Sequence, residues 1–172
     1  MTEETRSAKE TVDARLRALG IELPALTPPV VAGYVPAFVP FVRTANQIHV
    51  SGRLGKRDGQ VLVGKVGREI SLSDARQAAQ DVAIEIVSVL REAAGDLDRV
   101  RIVKLFAMVN GAPDFMEPHR VADGASELFT RVFGERGRHA RSAISVAQCP
   151  FGACVELDLL AELDGESHPR CE

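Results

Sequence analysis

The chain has no tryptophan and a single tyrosine, Tyr34, among its 172 residues. Stacking platforms for unpaired bases are therefore scarce, which argues against a single-stranded nucleic-acid groove. No excess of positive charge compensates: 21 Lys and Arg stand against 24 Asp and Glu, a formal net charge of −3. Such a balance gives no general attraction to phosphate backbones or anionic lipid, so no nucleic-acid or membrane partner is expected. No apolar run reaches the roughly eighteen residues that a membrane span needs. The start, Met1-Thr-Glu-Glu-Thr-Arg6, lacks the charged-then-apolar pattern of a secretory leader. Cysteine is also sparse. Cys149, Cys154 and Cys171 are an odd number, read as reduced thiols in a cytoplasmic protein. Cys149 and Cys154 flank a turn and could approach each other. His49, His119, His139 and His168 are scattered, with no pair at helical or zinc-finger spacing, so no metal is expected.

What is present is an ordinary globular composition, 45% apolar, in a length that suits one domain with one core. Residues 3–19 read as an amphipathic helix with Val12, Leu16 and Leu19 on one stripe and Gly20 as its stop. Leu23-Pro-Ala-Leu-Thr-Pro-Pro29 reads as an extended linker. Residues 38–43 and 47–54 read as strands, with Ile48, Val50 and Gly52 on one face and His49, Ser51 and Arg53 on the other. Asp58-Gly59 marks a tight turn before a short strand at 60–63. Residues 73–94 form the clearest helix: Ala75, Ala78, Ala79, Val82, Ala83, Ile86, Val87 and Leu90 recur at three and four residues. A strand over 100–109 and a helix over 119–133 follow. This order predicts an α+β domain, a mixed sheet with both helices packed on one face.

The closing segment carries the chemistry. Residues 141–147 and 153–163 read as a hairpin around Pro150-Phe151, pairing 145 with 156. Arg141, Ala143 and Ser145 then share one face, free to meet a neighbouring subunit. A guanidinium on such a small-residue face can hold a carboxylate through two parallel hydrogen bonds. Glu156 would lie about 13 Å along the same face, which leaves open a bulge or a site completed across a subunit boundary. Other polar residues have plainer readings. His139 is a solvated loop histidine, and Lys65 in Gly64-Lys-Val-Gly67 lacks a full phosphate-loop pattern. Asp96 and Asp98 belong to a turn.

Several of these stretches together resemble the YjgF/RidA family, the reactive-intermediate enamine/imine deaminases, also known as the endoribonuclease L-PSP family. They are Arg141-Ser142 with Ile144 and Val146, Cys149-Pro150, Val155-Glu-Leu-Asp158, and Asn46-Gln-Ile-His-Val-Ser-Gly52. Gly64-Lys-Val-Gly67 and Gly95-Asp-Leu-Asp-Arg-Val100 join them. Gly124-Ala-Ser-Glu-Leu-Phe129 and Phe133 to Arg141 are similar to a longer branch of that family. The resemblance covers residues 34–163, leaving 1–33 as an N-terminal helix and linker and 164–172 as a polar tail.

The resemblance implies a chorismate-mutase-like fold, a homotrimer, and pockets between subunits. It implies hydrolysis of small 2-imino or enamine acids to 2-keto acids and ammonia, without metal or organic cofactor. Arg141 would bind the substrate carboxylate, Glu156 would activate water, and Ser51 and Gly52 would line the pocket, with Phe38 and Ala143 beside them. Deaminases of the family carry Tyr where Phe38 stands and Cys where Ala143 stands, so a hydroxyl and a thiol are replaced by apolar groups. A small-carboxylate-binding protein without catalysis is the alternative. A ribonuclease fits less well, since the chain has no basic stripe and little aromatic surface.

Overall fold

The computed structural model describes residues 10–26, 31 and 33–164. Residues 3–9 of the expected N-terminal helix, residues 27–30 and 32 of the linker, and residues 165–172 with His168 and Cys171 lie outside the described residues.

The long helix α2, Leu72–Ala94, forms where the apolar repeat placed it, and every residue of that repeat is buried. Ser71 caps it by accepting from the Asp74 N–H at 3.0 Å, and Gly95 stops it at φ 74°. Helix α3, Pro118–Phe133, begins with a proline whose missing N–H is no loss at that position. Its buried side is Val121, Ala122, Ala125, Leu128, Phe129, Val132 and Phe133. At Gly124 a Cβ would stand 2.2 Å from the carbonyl oxygen of Arg76, so the two helices touch backbone to backbone. The short helix α1, Val12–Ala18, buries Val12 and Leu16 and donates the Val12 N–H to Asp98 at 2.8 Å. Asp96 accepts from the Asp98 N–H, so the two aspartates form the turn as expected, and Asp98 also docks α1.

Five strands make the main sheet: β1 Phe41–Thr44, β2 Gln47–Leu54, β5 Val100–Val109, β6 Ala140–Ser145 and β7 Val155–Leu163. Lys56–Arg57 and Gln60–Val61, β3 and β4, form a separate ribbon around the Asp58-Gly59 turn. The main sheet has the order β1-β2-β7-β5-β6. All its pairs are antiparallel except β5 with β6, which run parallel. The architecture is the expected α+β one, a mixed sheet with helices on one face and the core between.

Three expectations are corrected. First, residues 141–147 and 153–163 are not a hairpin. Helix α3 carries the chain over the sheet from β5, so β6 returns parallel to β5, as crossover connections do. Strand β7 instead inserts between β2 and β5, and Glu156 pairs with Leu54 and Met108 rather than with Ser145. Second, Arg141, Ala143 and Ser145 lie opposite the buried Leu105, Ala107 and Val109, on the helix side of the sheet rather than on its open face. Third, a bulge between Val50 and Arg53 shifts the alternation in β2. Arg53 therefore joins Ile48 and Val50 on the buried side, only 6% exposed.

The backbone contact at Gly124 gives a stability test. At an exposed mid-helix position alanine would be better than glycine by about 1 kcal/mol. Here the added Cβ must push α3 off α2, and Gly124→Ala is expected to destabilise by about 1–3 kcal/mol in urea denaturation. A variant as stable as wild type would show that the helices can separate freely.

Candidate functional site

Strand β7 alternates perfectly: Val155, Leu157, Leu159, Ala161 and Leu163 are buried under the helices. Glu156, Asp158, Leu160 and Glu162 therefore stand on the opposite, open face. The Glu156 side chain lies across Gly52. A Cβ there would be 2.1 Å from Glu156 Oε1 and 3.0 Å from its Cδ, so only glycine leaves the carboxylate its place. Ser51, in the same bulge, donates its hydroxyl to the Val39 carbonyl at 2.7 Å and its N–H to the Pro40 carbonyl at 3.0 Å. These bonds bring the segment carrying Phe38 alongside the bulge, with Phe38 itself exposed. Ser51, Gly52 and Glu156 thus come together within one chain, and the Phe38 segment is tied to them.

Burial pushes the Glu156 carboxyl above its usual range, and the Asp158 charge on the same face adds to this. Burial likewise raises Asp158. Near them, the Cys149 thiol is pushed up to about 11, first by burial and then by the charge of Glu156. Burial also takes Cys154 to about 11. Both are free thiols. Lys65 donates to Asn110 Oδ1 at 2.6 Å and to the Ala147 carbonyl. Asn110, buried, donates in turn to the carbonyls of Gly64 and Gly152, both at 3.3 Å. The Lys65 ammonium holds its own loop to the β6–β7 connection, so the glycine-flanked lysine is a structural fastening.

Arg141 stands elsewhere, on the edge strand β6. Its Nη1 donates to Asp123 Oδ1 at 2.8 Å and to Ser126 Oγ at 3.0 Å, both on α3. Among the described residues its Nε and Nη2 have no partner. His139 sits two residues away with Nε2 3.0 Å from Ser126 Oγ and Nδ1 2.6 Å from the Gly137 carbonyl. Its ring meets Phe129 edge-on at 5.8 Å. Burial holds His139 below its usual value; the Arg141 charge acts the same way, against the opposing bond to Gly137. His139 is therefore not the solvated loop residue expected. Ala143 packs against the core from the same strand.

The two clusters do not meet in one chain. Glu156 is in register with Met108, and Met108 with Ile144, three residues beyond Arg141. Two strand spacings and three residues of rise put the two backbones about 14 Å apart, on opposite faces. The sequence places His139 two residues from Arg141, but it contained no sign of Asp123 and Ser126 as neighbours of Arg141. Asp123 and Ser126 are three apart on a helix and so share a face, but only the crossover sets that face above β6. Among the described residues, no group of three or more His, Cys, Asp or Glu is arranged to hold a metal ion.

The comparisons agree with this architecture. Residues 13–163 match the family model described as "YjgF/chorismate_mutase-like, putative endoribonuclease". Protein TCP17 of Trypanosoma cruzi is 46% identical over 160 residues, 91% of this chain and 97% of that one. Among solved structures, Atu1372 of Agrobacterium tumefaciens, a protein of unknown function, is 38% identical with a TM-score of 0.77, over 90% of this chain and 94% of its own. A Shewanella oneidensis protein bearing the same endoribonuclease description is 30% identical with a TM-score of 0.79, over 89% of this chain and 99% of its own. With the family model spanning residues 13–163 and the strand order built around β7, the chain belongs to the YjgF/chorismate-mutase-like family, the YjgF/RidA family.

Proposed function

We propose that the protein hydrolyses small 2-imino or enamine acids to 2-keto acids and ammonia, at a site completed between copies of the chain in a homotrimer. The observation that carries this reading is the separation of its two chemical groups. Arg141 sits on an edge strand with two donors unengaged, and Glu156 sits on the open face over Gly52. A closed ring, in which the edge of one copy meets the open face of the next, unites them once per interface. The half-buried Leu54, Phe106, Met108 and Leu160 give that open face the apolar area an interface needs.

Arg141 binds the substrate carboxylate through its Nε–Nη2 edge, a charge-assisted pair of parallel bonds. The imine carbon is thereby held above Glu156 of the adjoining copy. Glu156 takes a proton from water as the water oxygen bonds to that carbon. With the imine protonated at the outset, this gives a neutral carbinolamine. Glu156 returns the proton to its nitrogen, and as the C–N bond breaks the hydroxyl proton passes through Glu156 to the departing ammonia, leaving ammonium and the keto acid. A carboxylate raised above its ordinary range is a stronger base for the first step and still a competent acid for the second. Phe38 and Ala143 make the surroundings more apolar than in deaminases with Tyr and Cys, which favours apolar substrate side chains.

Three outcomes test the reading. Glu156→Gln is expected to lower kcat by about 10²–10⁴-fold. Arg141→Ala is expected to lower kcat/KM by about 10–100-fold, mainly through KM. Each is measured as ammonia release from freshly generated imino acids, with the oligomeric state checked. Co-assembly of the two impaired variants is expected to restore about a quarter of wild-type kcat/KM. Random mixing pairs an intact Arg141 with an intact Glu156 at about one interface in four. No recovery on mixing would mean that the site is not shared, and no activity on a broad imine panel would favour carboxylate binding without catalysis.

The pH dependence follows from the sign of the Glu156 shift. The acid limb of kcat/KM is expected above the ordinary glutamate value of about 4.3, and Asp158→Asn should move it down. The same shift acts on stability. A carboxyl whose folded pKa exceeds its unfolded one stabilises fully below the unfolded value and loses this as pH rises through the folded value. Glu156→Gln is therefore expected to raise thermal stability at neutral pH. That gain should vanish as the pH falls below about 4.3, as scanning calorimetry across pH would show.

A further inference from the structure

With His139 neutral, as its burial beside the Arg141 cation favours, the hydrogen-bond chain around Arg141 has only one consistent set of proton positions. The Gly137 carbonyl can only accept, so His139 Nδ1 carries the hydrogen of that 2.6 Å bond. Nε2 of a neutral imidazole is then a lone pair, and Ser126 donates its hydroxyl hydrogen to it at 3.0 Å. This turns a lone pair of Ser126 Oγ toward Arg141 Nη1, which donates to it at 3.0 Å. Asp123 Oδ1, one turn earlier on α3, accepts from the same nitrogen at 2.8 Å. Both contacts therefore fall on Nη1.

We propose that Asp123, Ser126 and His139 are positioning residues for Arg141: they pin its guanidinium through Nη1 and present the Nε–Nη2 edge to the carboxylate of a small 2-imino or 2-keto acid, so setting the preference for carboxylate-bearing over uncharged substrates. The inference rests on Arg141 being the carboxylate anchor of the proposed reaction. Its physical content lies in the competition between Asp123 and the substrate. An Asp carboxylate beside a free guanidinium prefers the bidentate edge, the same edge a substrate needs. The Ser126 bond holds the guanidinium turned so that Asp123 reaches only Nη1. A plane fixed in advance also lowers the side-chain ordering cost of binding.

Ser126 and His139 do not form a nucleophile and base. Proton transfer would create an imidazolium beside the Arg141 cation, with only a neutral carbonyl behind Nδ1. The bond to Gly137 favours that second positive charge, but burial and the Arg141 cation outweigh it, and the neutral ring is well placed as an acceptor.

The test uses the full-length protein and pyruvate as the probe, with nitrogen-15 NMR of the arginine and histidine side chains. In wild type, His139 is expected as the Nδ1–H tautomer, with slowed rotation of the Arg141 guanidinium. Ser126→Ala should release that rotation and weaken pyruvate binding by about tenfold. Ser126→Thr should restore both, which a loss of folding would not allow. His139→Gln, whose amide oxygen can accept from Ser126, should stay closer to wild type than His139→Leu. In turnover, Ser126→Ala should raise KM for a 2-imino acid with little change in kcat, and leave the corresponding amide substrate unaffected. Free rotation of Arg141 in wild type, or unchanged pyruvate binding in Ser126→Ala, overturns the proposal. Failure of pyruvate to bind wild type overturns both the proposal and the carboxylate anchor. Pinned Arg141 and Ser126-dependent pyruvate binding, without ammonia release from any imine, supports the positioning role while refuting the deaminase reading.

Discussion

The parallel register of β5 with β6, which sets Leu105 opposite Arg141, governs where the polar groups of the protein come to lie. Because α3 carries the chain across the sheet between these strands, β6 becomes the outer edge and its odd-numbered residues face the helices. Arg141 is thereby brought under Asp123 and Ser126. The middle of the sheet is left to β7, whose even-numbered residues face away from the core. Acid and cation are consequently held on different sides of one layer. That separation makes the proposed chemistry a property of an assembly rather than of a fold.

The open face is an electrostatic compromise. Glu156 and Asp158 stand two residues apart on one strand, partly removed from water, and both are pushed toward their neutral forms. Two replacements by apolar residues would satisfy a sheet face better. A carboxylate that is costly to ionise is, however, a better base near neutrality than an exposed one. Gly52 shows how closely the backbone is fitted to this group, since the bulge leaves space for the carboxylate where another residue would place its own side chain. The N-terminal helix plays no part in that compromise. Val12 and Leu16 seat it on the helix side, away from Glu156.

Periodicity carries one kind of information and pairing another, and the legible part of this chain divides along that line. The three- and four-residue recurrence from Ala75 to Leu90 identified α2, and the alternation of β7 identified its buried face, because both depend only on local geometry. Partner choice depends on where a crossover lands. Two adjacent alternating segments read as a hairpin although β5 lies between them. The β2 bulge defeated alternation in the same way, since one unpaired residue moves Arg53 to the other face. Ser51, Gly52 and Glu156 converge as a set, while Asp123 and Ser126 gave no signal, being joined to Arg141 only through tertiary contacts; His139 stood beside Arg141 in the chain, but its bond to Ser126 was not legible there.

The two buried thiols have a consequence for chemical durability. A thiol with a pKa of about 11 is ionised in only about one molecule in ten thousand at pH 7. The thiolate is the form that attacks electrophiles and oxidants. Imines and enamines are reactive compounds, and Cys149 lies within electrostatic reach of Glu156. By keeping that sulfur protonated, the negative charge of Glu156 and the surrounding burial also shield it from alkylation by the molecules that the pocket would handle. In the proposed deaminase, the neighbourhood of the carboxylate would thus be protected against the compounds passing through it.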